Sequence, residues 1–294
     1  MTFVTGSISH GQGHATIQTQ ILVDRLGVDP DAIKFVQGDT EAVAFGMGTG
    51  GSRSTTMSGG AIVMVADKVI AKGKKLAAHM LEAAEGDMEF KDGRFSIAGT
   101  DRGVGIHDVA KTAFKVDKLP PGMEPGLYET ATYRATSGNF PNGAHVCEVE
   151  IDPETGVTNV VRYSVVDDVG TVINPLLVKG QIMGGIAQGL GQVLMEDKAY
   201  DPQTGQVISG SFMDYSMPKA ETLPDLKVGT TTTKCPSNPL GIKGCGEAGA
   251  IAAPAAVINA ITDAIGTEDL AMPATPQAVW AAIRKAAKMQ QAAE

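Results

Sequence analysis

Glycine distribution constrains this 294-residue chain more than any other feature, because its 36 glycines fall in clusters that lead into helical segments. Residues 48–54 form a glycine-rich run ahead of an apolar-periodic stretch from Met57 to about Glu85. Residues 241–249 open an Ala-rich stretch, and Gly180 to Gly191 lie within and around another. A fourth loop, HGQGH at His10 to His14, adds an amide side chain, Gln12. A helix N-terminus offers unpaired N–H groups and a partial positive charge, and glycine lets a ligand approach the backbone. Each loop alone is most simply a tight turn. Together they favour a large polar ligand bearing a phosphate or pyrophosphate.

Two common phosphate motifs are excluded. GMGTGG follows no strand of the dinucleotide-binding kind, and no suitably placed acid follows a βαβ unit. No glycine-Lys-Ser/Thr sequence of a P-loop occurs in these loops. Glycines inside the 180–191 helix each cost about 1 kcal/mol relative to alanine, which implies close packing or a ligand on that face. Gln181 and Gln188, seven residues apart, share a face and could donate amide hydrogen bonds or simply meet solvent.

The coarse reading is α+β, since strands and helices mix without regular alternation. A strand is expected at 33–37, a hairpin at MEFKDGRFSIAG on its Asp92-Gly93 turn, and two strand pairs on the turns DPETG and DPQTG. Asn174 is expected to cap a helix with Pro175 in its first turn, and Ser52 and Ser54 are candidate caps for the long helix after Thr56. Two Ala-rich helices are expected at 250–265 and 276–289. The Pro- and Gly-rich segment near 115–126 marks the expected boundary between subdomains 1–125 and 126–294.

Net charge of -9 and a pI near 5.1 argue against nucleic acid or an anionic membrane as the main partner. The longest unbroken apolar runs, such as Ala61 to Ala66, fall short of a membrane span, and MTFVTGSISH lacks the regions of a signal peptide. Three cysteines without a CxxC pair indicate neither a disulfide framework nor a zinc ribbon. A reducing, cytoplasmic setting is therefore expected. Within GIKGCGEAGAIAAPAAV, Glu247 stands alone among small residues. It is either a poorly solvated acid with a raised pKa, fit for general-base work, or a carboxylate favouring the first turn of a helix.

GQGHATIQTQI, GTGGSRST, GQIMGGIAQGLGQVL and GIKGCGEAGAIAAPAAV, in this order along the whole chain, resemble the C-terminal, molybdopterin-binding portion of large subunits in the xanthine dehydrogenase and aldehyde oxidase family of molybdenum hydroxylases. The likeness is strongest to bacterial aerobic-type carbon-monoxide dehydrogenase large subunits. The resemblance implies that 1–125 and 126–294 are two cofactor-binding subdomains, the second carrying Glu247 as the active-site base beside molybdenum. It also implies that Gly11, Gln12 and Gly13 contact the pterin, that Gly51, Ser52 and Arg53 lie near its phosphate end, and that Gln188 and Gly246 belong to the same cofactor site. No side chain is expected to ligate the metal, so Cys245 is expected to pack as a small residue.

The implied activity is hydroxylation of an aldehyde, an N-heterocycle or a similar carbon centre with water as oxygen source. The implied cofactor is molybdopterin with molybdenum, in plain or cytosine dinucleotide form, with FAD and 2Fe-2S clusters on partner chains. Implied partners are the N-terminal half of the large subunit, an iron–sulfur subunit and a flavin subunit in a dimer of heteromers. The family's N-terminal half, with its Phe-Gly loop and most of the substrate pocket, is absent, as is the cysteine loop of true carbon-monoxide dehydrogenases. A split subunit or fragment that cannot turn over alone is therefore expected. A non-catalytic assembly or binding module retaining the fold is the alternative.

Overall fold

The computed structural model describes residues 1–293 and has the mixed, irregular α+β order the sequence implies. It comprises two compact units, Met1–Asn139 with Lys234–Ile242, and Phe140–Thr233 with Lys243–Glu294. Residues 126–139 thus group with the first unit, and so does the short segment 234–242.

In the first unit, β1 (Thr2–Thr5) pairs in parallel with β2 (Lys34–Gln37), and α1 (His14–Leu26) links them. The 28-residue α2 (Ser54–Leu81) packs on α1 through buried Ile21, Leu22, Ile62 and Ala66. Two adjacent glycines in α2 are explained by close approach. A Cβ on Gly59 would lie 2.8 Å from Leu240, and one on Gly60 would lie 2.5 Å from the ring of Tyr133. The Tyr133 hydroxyl in turn donates to the carbonyl of Ser237 (2.7 Å).

The hairpin β3 (Met88–Lys91) and β4 (Arg94–Ile97) turns on Asp92 and Gly93, both at positive φ. That is the geometry an Asp-Gly hairpin turn requires. Strand β5 (Gly103–Gly105) adds to it and leads into α3 (Ile106–Thr112).

In the second unit, β6 (Asn142–Ile151) and β7 (Thr158–Asp168) form a long antiparallel pair closed by DPETG, where Gly156 takes φ 75. Strand β8 (Leu226–Thr231) joins β7 in parallel. The second expected strand pair, on DPQTG, reduces to a single bridge between Tyr200 and Val207. Behind the sheet, α4 (Pro175–Leu194) and α5 (Ala248–Ile265) build the core with Tyr163, Val165, Ile182, Ile186, Val257 and Ile261. Helix α6 (Pro276–Ala293) contributes Val279.

Asn174 caps α4 as expected, its side-chain oxygen accepting from the N–H of Leu177 (3.1 Å). Helix α5 has a mean hydropathy of 1.5 and is, among the described residues, the one helix long and apolar enough to cross a membrane. Counting only unbroken apolar runs missed it, because Asn259, Thr262 and Asp263 interrupt the run. Ala253, Val257 and Ile261 on α5 are fully buried in the core of this unit.

Candidate active site

The glycine loops of the first unit lie against each other. A Cβ on Gly46 would come 2.5 Å from the carbonyl of Gly6, and one on Gly6 would come 2.6 Å from that of Phe45. No other residue fits either position without moving backbone. The Gly48 N–H donates to Gly6 (3.3 Å), and the Thr49 hydroxyl donates to the carbonyl of Ile8.

From this seam both helices begin. Gly13, in the left-handed region at φ 83, precedes α1, and no side chain caps that helix. Gly11 takes φ 106, and Gly11, Gly50 and Gly51 have open space where a Cβ would stand. Gln12 is half-buried, and its side-chain oxygen accepts from the N–H of His10 and the hydroxyl of Ser9. That pairing aims its amide group rather than leaving it to rotate.

Helix α2 begins differently from expectation. Its N-cap is Arg53, without a side-chain cap bond, while Ser52 sits at φ 52 and Ser54 is already helical. The Ser54 hydroxyl instead donates to Thr49 (3.1 Å), which draws it away from the capping role. Arg53 is exposed beside the open glycines. Two helix starts uncapped by side chains, three glycines with free space and an exposed guanidinium suit an anionic, bulky ligand. A phosphate-bearing pterin fits this donor set.

In the second unit, Glu247 occupies the N-cap position of α5, and its carbonyl accepts from Ala250 (3.0 Å) and Ile251 (3.1 Å). Its side chain does not cap the helix. The expectation of an enclosed acid requires correction, since both Glu247 and Gly246 are exposed. The small residues around Glu247 serve helix packing instead. A Cβ on Gly249 would lie 2.0 Å from the carbonyl of Ile182, and one on Gly185 would lie 2.7 Å from the backbone of Ala250. Gly189 abuts Ala253 in the same way. The opposite face of α4 carries Gly180 and Gly184, both exposed with open space around them, in line with exposed Gln188. Gln181 is half-buried.

The loop before Glu247 is latched to the sheet. Lys243 Nζ pairs with Asp168 (3.1 Å) and donates to Asn142 (3.3 Å), while its N–H donates to the carbonyl of Val169 (2.8 Å). Burial of Asp168 opposes its charge, but hydrogen bonds from Thr233, Gly170 and Lys243 outweigh burial and hold its carboxyl below the usual range. Cys245 packs against the core, and burial pushes its thiol up.

A buried trio was not visible in sequence. Tyr163 Oη and His145 Nδ1 share a hydrogen bond (2.8 Å), and His145 Nε2 lies 3.5 Å from Asp167. Burial raises the pKa of Asp167 against the opposing pull of His145. Gly143 makes room for it, since a Cβ there would lie 2.0 Å from Asp167 Oδ1. Only the register of β6 on β7 brings these residues together, and no local pattern announces it. Among the described residues no group of three or more His, Cys, Asp or Glu side chains is arranged to hold a metal ion.

Fold and loops together define an α+β protein with glycine loops opening onto two helix starts that no N-cap side chain closes. The chain belongs to the molybdopterin cofactor-binding domain family, whose model matches residues 1–224. It is 39% identical over 283 residues to the 6-hydroxypseudooxynicotine dehydrogenase complex subunit gamma of Paenarthrobacter nicotinovorans, covering 95% of this chain and 36% of that protein. It is 37% identical over 284 residues to the carbon monoxide dehydrogenase large chain of Hydrogenophaga pseudoflava, covering 95% and 35%. The crystal structure of Cu,Mo-CO dehydrogenase superposes with a TM-score of 0.90 at 34% identity, over 97% of this chain and 36% of that one. Quinoline 2-oxidoreductase from Pseudomonas putida 86 gives 0.88 at 38% identity, over 96% and 36%. The chain spans about a third of the length of the curated relatives it matches. The expected family and fold class are thereby shown.

Proposed function

We propose that this chain is the cofactor-binding portion of a molybdenum hydroxylase large subunit. The glycine-opened starts of α1 and α2 carry the proposal, because neither N-cap residue, Gly13 or Arg53, caps its helix with a side chain and open space surrounds the neighbouring glycines. Gly11, Gln12 and Gly13 take the pterin, and Gly51, Ser52 and Arg53 take its phosphate end. The guanidinium of Arg53 suits either the plain or the cytosine dinucleotide form. Gln188 and Gly246 are taken as further cofactor contacts.

The bound molybdenum cofactor supplies two-electron oxidation of a carbon centre with water as the oxygen source. Glu247 acts as the base, its carboxylate taking the proton of the attacking water. Glu247 stands exposed at the N-cap of α5. The Lys243 latch holds the preceding loop so that the carboxylate is presented at a fixed place.

The substrate is an aldehyde, an N-heterocycle or a similar electron-poor carbon compound. The remainder of the large subunit, an iron–sulfur subunit and a flavin subunit complete a cytoplasmic dimer of heteromers. The relative named as subunit gamma of a dehydrogenase complex supports this reading. In a reconstituted complex, Glu247→Gln should abolish turnover while leaving molybdenum and pterin content intact. Near-normal turnover would remove Glu247 from the role of base.

A further inference from the structure

Beneath the two glycine loops of the first unit lies Gln18, on α1 and only 1% exposed. Its Nε2 donates to the hydroxyl of Ser7 (2.9 Å), just ahead of the Ser9–Gly13 loop, and to that of Ser58 (3.1 Å) on α2. Each hydroxyl accepts from the amide and keeps its own proton to donate. Ser7 is paired with Thr5 on β1 (3.1 Å), and Ser58 donates to the carbonyl of Ser54. The Ser54 hydroxyl then donates to Thr49, and Thr49 donates to the carbonyl of Ile8. The circuit closes on the first loop from the second.

Stability alone does not account for an amide here. Gln18 Oε1 is buried and makes no hydrogen bond, and one turn earlier on the same face His14 Nδ1 is likewise buried without one. A leucine at position 18 would fill similar space with no polar atom to desolvate. An amide kept with half its hydrogen-bonding capacity unmet is a specificity device, because it fixes a geometry that an apolar side chain would leave free.

We infer that Gln18 is a positioning residue that locks the Ser9–Gly13 and Gly48–Arg53 loops to one another, so that both present their N–H groups to one ligand. The consequence for the cofactor rests on the proposed function, whereas the locking itself does not. The hydroxyls of Ser7, ahead of the first loop, and Ser58, on α2, are joined by one side chain, so loosening must be shared by both loops rather than confined to one.

The test is amide hydrogen exchange on the native complex carrying Gln18→Leu, Ser58→Ala or Ser58→Thr, together with pterin retention after dialysis. In Gln18→Leu, exchange in segments 8–13 and 46–53 should rise together on the order of tenfold, the shift expected from losing one or two hydrogen bonds. Global unfolding should occur at an unchanged or higher temperature, and pterin should be lost faster. Ser58→Ala should reproduce the loosening, and Ser58→Thr, which keeps the hydroxyl, should restore it. Unchanged exchange in either loop of Gln18→Leu would overturn the inference. Wild-type complex without pterin, but with both loops loosened by Gln18→Leu, would sustain the locking and overturn the molybdenum reading instead.

Discussion

Gly249 on α5 approaches the carbonyl of Ile182 on α4 so closely that a Cβ would stand 2.0 Å from that oxygen. The first turn of α5, and with it Glu247, is therefore set by backbone-to-backbone packing. Gly249→Ala must push the helices apart or tilt α5, a distortion of the overpacking kind that costs about 1–3 kcal/mol. Thermal unfolding of the complex should shift down accordingly, and turnover should fall further than stability does, because Glu247, the proposed base, moves with the helix.

Lys243 and Asp168 make a pair in which both side chains are largely buried (11% and 5% exposed). Lys243→Met would leave the Asp168 carboxylate desolvated with one partner fewer. Removing one member of a buried pair costs about 3–5 kcal/mol. Chemical denaturation at neutral pH should show a loss of that order. Lys243→Met with Asp168→Asn should recover part of it.

Acid sensitivity follows from the same carboxyl. The pKa of Asp168 in the fold lies below its unfolded value, so its stabilising contribution is fully present above the unfolded value, about 3.9. It is lost only as pH falls through the depressed folded value. In Lys243→Met the folded value rises, so acid unfolding monitored by circular dichroism should begin at a higher pH than in wild type. Coincident acid curves would show that Lys243 does not hold the carboxyl.

Two thiols in the second unit should be slow nucleophiles. Burial, then the neighbouring Glu148, pushes Cys147 up to about 11, and burial raises Cys245. Only the thiolate reacts appreciably with alkylating agents. Iodoacetamide labelling at pH 8, read by mass spectrometry, should leave both largely unmodified until denaturant is added. Rapid labelling of Cys245 in the folded complex would contradict the packing of the Glu247 loop.

Local chemistry was legible from the sequence. The Asp92-Gly93 hairpin, the Asn174-Pro175 helix start and the glycine-opened helices α1, α2 and α5 each follow from conformational needs that a few adjacent residues satisfy. What depends on distant neighbours was not legible. The glycines and alanines near Glu247 suggested an enclosed acid, yet they meet α4, and the acid is exposed. Ser52 and Ser54 looked like caps until Thr49 engaged the Ser54 hydroxyl. Gln18 and the trio of Tyr163, His145 and Asp167 owe their hydrogen bonds to helix packing and strand register, which one-dimensional spacing does not encode.

Molybdenum and pterin content of the complex purified from its native host tests whether the two glycine-opened helix starts hold a molybdenum pterin. Molybdenum and pterin should be stoichiometric with the chain, and reduced in Arg53→Ala as the phosphate contact is lost. An otherwise complete native complex without molybdenum or pterin would contradict the molybdenum reading and leave a binding or assembly module in its place.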